Sequence, residues 1–314
     1  MEDYQGYCPI CETGVTYRVE GSWYRDQLFC PSCPNGSIPR ERALALILNE
    51  LCPNWRDKRI HESSPAGRGI SVKMVQQCAG YVGTQFFAGI EQGSINNGWR
   101  NENLEEQTFP DGAFDIVVSL DVMEHVYSPD KVFREIHRTL ASGGIYLCTF
   151  PVRKSQVDGW ERRFELLPDG NRHDIKEPEI HGNPASSEGS IVTIDWGYDL
   201  HQTIAAWAAF DVSVYRFSDQ THGILGEYTE VVACRKRPLA GDNPAIIHPA
   251  LTTRDAALIE RDSPNRLETV EHYASTLEEE IKALKRELRA AKENITGLIE
   301  VNNQLLANLT KARA

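Results

Sequence analysis

The period at which apolar residues recur changes several times along this chain, and each change marks an element. Phe114-Asp115-Ile116-Val117-Val118-Ser119-Leu120 is a short β-branched and apolar run, the pattern of a strand buried on both faces. Polar residues follow at once: Asp121, Glu124 and His125 stand at the carboxyl end of that strand, where open α/β sheets place their ligands. Ser128-Pro129-Asp130 opens a helix in which Val132, Phe133, Ile136 and Leu140 recur at three- and four-residue steps, and Ser142-Gly143-Gly144 ends it. Ile145 to Phe150 supplies a second buried strand, completing a βαβ unit whose crossover is expected to be right-handed.

The same reading places a first sheet strand at Arg59-Ile60-His61-Glu62, a turn through Ser63-Ser64-Pro65-Ala66-Gly67-Arg68-Gly69, a helix from about Ser71, and a second strand at Gly80 to Thr84. After Pro151 a polar excursion runs to about Trp196, too long for an ordinary connection and therefore expected to be functional. A helix through Ile204 and Trp207 follows, and Val212 to Tyr215 with Tyr228 to Cys234 form a closing antiparallel hairpin. Upstream, Ser37-Ile38-Pro39 starts a helix, with serine as a nearby cap, that turns Leu44, Ile47, Leu48 and Leu51 inward. Arg40 and Arg42 sit at its amino end, where cations are disfavoured, so they either pair with neighbouring carboxylates or meet an anionic ligand.

Residues 237–264 hold four prolines and no sustained period, the pattern of a linker. From 265 to 314 the pattern becomes heptad: Leu277, Ile281, Leu284, Leu288, Ala291, Ile295, Leu298, Asn302, Leu305 and Leu309 alternate four- and three-residue steps. Such a helix would be roughly 65 Å long and would expose its seam if solitary. A parallel coiled-coil homo-oligomer is the expectation, dimer before trimer because Asn302 would be a buried polar residue setting register. The alternative is a helix folded back on its own domain.

The amino-terminal segment carries chemistry rather than periodicity. Cys8-Pro9-Ile10-Cys11 and Cys30-Pro31-Ser32-Cys33 are two Cys-x-x-Cys knuckles eighteen residues apart, the spacing of a four-cysteine zinc site with Cys8, Cys11, Cys30 and Cys33 as ligands. A redox dithiol would need only one knuckle, and a pair of disulfides requires an oxidising compartment. Between the knuckles, Val15, Tyr17, Val19, Trp23, Tyr24, Leu28 and Phe29 read as a β-hairpin around Glu20-Gly21-Ser22.

Composition narrows the partners. At 314 residues and 41% hydrophobic the chain is long enough for about two domains. A net charge of −12, with only Arg18 and Arg25 as cations in the first 35 residues, argues against broad nucleic-acid binding. No apolar run reaches a membrane span, and the polar amino terminus lacks the pattern of a signal peptide, so the cytoplasm is expected.

Asp115 to Val126, the Arg134 to Leu140 helix and Ser142-Gly143-Gly144, in that order, resemble the class I S-adenosylmethionine (SAM)-dependent methyltransferases, particularly their small-molecule and glycan branch. The resemblance runs from about Arg59 to Arg235. It implies a doubly wound, Rossmann-like α/β sheet of seven strands, occupying 38–236 between a zinc ribbon at 1–37 and the linker, with 152–196 as a lid over the acceptor. It implies SAM as cofactor, contacted by Glu62, Ser63, Gly67, Gln85, Asn103, Leu104 and Asp121, and a sugar or other small polar acceptor. The family's acid-Gly-x-Gly-x-Gly turn is here Glu62-Ser-Ser-Pro-Ala-Gly67-Arg-Gly69, and Gln85 and Asn103 stand where acids are usual. His125, His181 and Asp121 are the candidate catalytic residues: a hydroxyl acceptor needs a base, and histidine titrates near neutrality. The plainer role for His125 is a hydrogen bond to a loop carbonyl. Two other functions fit the same residues, a nucleic-acid or protein methyltransferase gripping its substrate with the ribbon, and a non-catalytic oligomeric scaffold.

Overall fold

The computed structural model describes residues 2–156, 159–169, 171–183, 186–238 and 257–262; the heptad segment and most of the proline-rich stretch lie outside them. In chain order the strands are β1 (Tyr4–Cys8), β2 (Thr13–Val19), β3 (Leu28–Phe29), β4 (Arg59–Ser63), β5 (Gly80–Gln85), β6 (Ile95–Asn96), β7 (Trp99–Asn101), β8 (Phe114–Leu120) and β9 (Leu140–Thr149). Six short strands follow, β10 (Trp160–Arg162), β11 (Phe164–Leu166), β12 (Arg172–Asp174), β13 (Ile180–Asn183), β14 (Ser186–Ile191) and β15 (Ile194–Trp196). The last three are β16 (Phe210–Ser218), β17 (Val231–Lys236) and β18 (Ala257–Asp262). The helices are α1 (Tyr24–Gln27, a single turn), α2 (Pro39–Leu51), α3 (Gly69–Gln77), α4 (Pro129–Thr139) and α5 (Leu200–Trp207).

The main sheet runs β18-β16-β17-β9-β8-β4-β5-β7-β6. Strands β7, β5, β4, β8 and β9 run parallel to one another, while β17 is antiparallel to both β9 and β16. This is a mostly parallel, Rossmann-like α/β sheet. It has nine strands rather than the expected seven, because β6 pairs with β7 at one edge and β18 with β16 at the other. Strand β18 lies inside the stretch expected to be a linker: Ala257-Leu258-Ile259 is a short apolar run, and an edge strand offers it unpaired backbone groups.

Period-two alternation divides the core. Ile116 and Val118 of β8 and Ile145 and Leu147 of β9 pack on one face with Leu44, Ile47 and Leu48 of α2 and Ile70 and Met74 of α3. Val117, Tyr146 and Cys148 face the other way, onto Phe133 and Ile136 of α4 and Ile204 of α5. The cysteine module belongs to the first core: Ile10, Val15, Tyr17 and Leu28 join the α2 cluster, and all the described residues fall in one compact unit, Met1–Ser263.

Local details differ from the sequence reading. β2 does pair with β3, but the connection holds the turn α1, and β1 adds a third strand against β2. Helix α4 ends at Thr139 and β9 begins at Leu140, so Ser142-Gly143-Gly144 forms an irregularity within the strand, where the pairing jumps from Phe114↔Leu140 to Ile116↔Ile145. Gly143 takes φ +70° there. Ile38, not Ser37, is the amino-terminal flanking residue of α2, and the Glu41 carboxylate accepts its N–H at 3.1 Å. Helix α3 starts two residues early, at Gly69, whose φ is +54° and whose missing Cβ would stand 2.7 Å from the Glu41 carboxylate.

Of the two arginines at the start of α2, Arg40 pairs with Asp26 and Asp121, both at 2.7 Å. Arg42 does not meet a carboxylate. Fully buried, it donates to the carbonyls of Ser37, Leu28 and Gly223 at 2.6–2.9 Å and lies over the Tyr17 ring at 4.8 Å. Its planar fork has five donors, and a buried chain crossing supplies enough carbonyls to satisfy most of them.

The polar excursion is built of three antiparallel pairs, β10 with β15, β11 with β12 and β13 with β14. Its charges have an internal purpose: buried Asp195 is ion-paired with Arg153, Arg163 and Lys176 at 2.8–2.9 Å. No helix among the described residues is long and apolar enough to cross a membrane.

Candidate functional site

The chain lays down β4, then β5 and β7 to one side, and returns to place β8 on the other side of β4. The helices that follow β4 and β8 must therefore leave on opposite faces, and a crevice opens at the carboxyl ends of these strands. There the structure has a cleft of about 1030 Å³. The residue after β4, Ser64, and the residue after β8, Asp121, have φ values of +53° and +52°. Such left-handed backbone in non-glycine residues is costly and clusters at functional sites.

Ser63, Gln85, Asn103, Leu104, Asp121, His125 and His181 all line this cleft. Glu62 does not: it is fully buried behind the strand end, its two carboxylate oxygens accepting from Ser71 Oγ at 2.6 Å and Tyr81 OH at 2.7 Å. Burial pushes its pKa up to about 7. Gly67 is exposed, with open space where a Cβ would be, so close packing does not require glycine there. Its carbonyl accepts from Asn35 Nδ2 at 2.7 Å, and Gly69 N–H donates to Pro34 O at 2.9 Å, so the cysteine module holds the turn after β4 in shape.

That module also contributes walls that sequence reasoning missed, Arg25 and Asp26 of α1, and Arg40 of α2 lines the cleft beside them. Arg25 and Arg40 both hold Asp121 Oδ2 at 2.7 Å, while Asp121 Oδ1 is buried without a hydrogen-bond partner among the described residues. No local pattern could have joined Arg25 to Asp121, ninety-six residues apart.

The turn after β8 is fixed by the excursion. Thr193 N–H donates to Glu124 O at 2.8 Å, and Trp196 Nε1 donates to Met123 O at 3.1 Å. His125 Nδ1 meets Ile191 O at 2.7 Å; a carbonyl only accepts, so Nδ1 carries the proton and Nε2 is left toward the cleft. The plain role for His125 is thus real and leaves one nitrogen for chemistry. His181, on β13, stands edge-on to His125 with ring centroids 5.3 Å apart. Glu124 and Glu179 hold the His181 pKa above its ordinary value.

Cys8, Cys11, Cys30 and Cys33 converge with Sγ atoms within 4.8 Å of one another, the Cys8–Cys33, Cys11–Cys30 and Cys11–Cys33 separations being 3.5, 3.8 and 3.2 Å. Tetrahedral bonds of 2.3 Å place sulfurs about 3.8 Å apart, so the residues fit a zinc ion.

A family model described as a methyltransferase domain matches residues 67–148, which take in α3, β5, β8, α4 and most of β9. This part of the chain is a methyltransferase domain. A curated protein from Mycolicibacterium smegmatis, described as a probable SAM-dependent methyltransferase, is 37% identical over 54 residues, 17% of this chain and 21% of that protein. The chain thus matches about a fifth of that relative's length. Among solved structures, a SAM-dependent methyltransferase from Mesorhizobium loti is 14% identical, covering 62% of this chain and 97% of its own, with a TM-score of 0.42. The 1,6-didemethyltoxoflavin-N1-methyltransferase of Burkholderia thailandensis is 14% identical, covering 63% and 78%, with a TM-score of 0.37.

Proposed function

We propose that the protein transfers a methyl group from SAM to a hydroxyl of a sugar, glycan or other small polar acceptor, and that residues 265–314 assemble it into an oligomer. The observation that carries the reading is the meeting in one cleft of Ser63, Gln85, Asn103, Leu104 and Asp121, the cofactor positions of the resemblance, with His125 and His181. The matched methyltransferase domain supports it.

SAM supplies a methyl carbon made electrophilic by its sulfonium. The chain's own residues do the rest. Gln85 and Asn103 offer neutral amides to hydroxyls and ring nitrogens, and Leu104 an apolar face. The excursion covers the acceptor end and excludes water, so acceptor oxygen and methyl carbon are held in line. As the new O–C bond forms, the C–S bond breaks and its electron pair returns to sulfur. The hydroxyl proton must leave, and His125 Nε2 and His181 Nδ1 are the nitrogens placed to accept or direct it.

Calorimetric titration of SAM into the purified chain tests this. Micromolar binding is expected, weakened about tenfold by Asn103→Ala or Gln85→Ala, each of which removes a hydrogen bond worth roughly 1–1.5 kcal/mol. A folded, zinc-loaded protein that takes up no SAM would leave the scaffold reading in its place.

A further inference from the structure

Glu124, His125 and His181 form a second cluster whose ligating atoms lie within 4.8 Å of one another, and its electrostatics are incomplete. Glu124 is 1% exposed, and among the described residues neither carboxylate oxygen has a hydrogen-bond partner. A buried carboxylate without compensation is costly. The nearest groups are His181 Nδ1 at 3.6 Å and His125 Nε2 at 3.8 Å, both beyond hydrogen-bond length. The outer nitrogens are already committed, His125 Nδ1 to the Ile191 carbonyl at 2.7 Å and His181 Nε2 to the Glu179 carboxylate at 3.1 Å. Both outer partners are acceptors. With those outer nitrogens carrying protons, the neutral form of each ring turns a lone pair inward, toward the Glu124 carboxylate.

We propose that this cluster binds a divalent first-row metal ion through a Glu124 carboxylate oxygen, His125 Nε2 and His181 Nδ1. Metal-ligating histidines characteristically donate their other N–H to a carbonyl or carboxylate, which is the arrangement here. Bonds of about 2.0–2.2 Å separate neighbouring ligand atoms by about 3.0–3.6 Å, so the two Glu124–histidine distances must close by only a few tenths of an ångström. Two nitrogens and a carboxylate suit Mn2+, Fe2+, Co2+ or Zn2+. Glu124 is sealed, whereas His125 and His181 line the cleft, so the vacant coordination positions face the substrate. In the proposed methyl-transfer reading, on which this role rests, His125 and His181 would then serve as ligands in place of bases: the ion would hold the acceptor hydroxyl and lower its pKa, and the released proton would pass to solvent.

The test is Mn2+ uptake by the zinc-loaded full-length protein, followed by electron paramagnetic resonance of the free ion; hard N/O donors take Mn2+, and four thiolates compete poorly for it. One equivalent per chain is expected, weakened more than a hundredfold by His181→Ala and by Glu124→Gln. His181 is partly exposed on a short hairpin, so His181→Ala should remain folded even if the buried Glu124 variant does not. Total bound zinc, measured in parallel, should also differ by up to one equivalent between wild type and His181→Ala. If wild type takes up no Mn2+ and the two proteins hold the same zinc, the cluster shares only a proton and the proposal fails. SAM titration of the same samples separates the two ideas: metal without SAM keeps the site and removes methyl transfer, and SAM without site-dependent metal does the reverse.

Discussion

The two candidate metal clusters differ in what surrounds them. Cys8, Cys30 and Cys33 are buried, Cys11 is half-buried, and the four sulfurs close on one another inside the core shared with α2 and α3. The Glu124–His125–His181 cluster has one sealed ligand and two that open on a cleft of about 1030 Å³. A closed four-ligand site has no position for substrate and can only stabilise, whereas a three-ligand site beside a cavity can take part in chemistry. The first cluster still bears on function through its neighbours, because it organises the turn carrying Arg25 and Asp26 into the cleft wall.

The sharpest way to break this contrast is Cys30→Ser. Removing a ligand from the closed site should release zinc and cost several kcal/mol of stability, lowering the melting temperature steeply and abolishing SAM binding with it. His181→Ala should shift the melting temperature little. Equal effects on melting would mean that the two clusters do the same work.

Glu62 sharpens the contrast from another direction, being a buried carboxylate with hydrogen-bond partners where Glu124, among the described residues, has none. Its folded pKa is raised from 4.5 to about 7, so the folded state binds the proton more tightly than the unfolded chain. The associated stability is complete below about pH 4.5 and is lost as pH rises through 7. Glu62→Gln should remove this dependence and gain up to about 3 kcal/mol at pH 8 relative to wild type, read by urea unfolding at pH 5 and pH 8. A wild-type curve that is flat between those values would mean that Glu62 is charged in the folded protein.

The smallest effect is expected at Arg40→Met, which leaves Arg25 as the partner of Asp121 Oδ2 among the described residues. Both side chains keep some solvent contact, so the loss should be about 1–2 kcal/mol, less than for a fully buried pair, and should decline with added salt. Weaker SAM binding without a change in melting temperature would instead make Arg40 a ligand contact.

The fold was legible where local pattern and tertiary environment agree. Phe114–Leu120 is a strand because its residues are apolar on both faces, and β16 and β17 form the antiparallel pair that their alternation predicts. The excursion was harder to read, since its short strands are polar and its order comes from ion pairs on Asp195, which no period announces. Ser142-Gly143-Gly144 carried a helix-stop signal but was drawn into β9, because pairing with β8 outweighed the local preference.

By itself the sequence determined whatever depends on neighbours along the chain: the paired cysteine knuckles, the alternation that divides the core in two, and the Asp121-to-His125 turn at the end of β8. Only the tertiary structure decided what meets across long separations. It brought Arg25 to Asp121, turned Glu62 away from the cleft to Ser71 and Tyr81, and delivered His181 to Glu124 and His125. The reason is physical. A motif is visible when one turn fixes its geometry, whereas a site assembled across a sheet edge and a lid depends on packing that no short stretch of residues encodes.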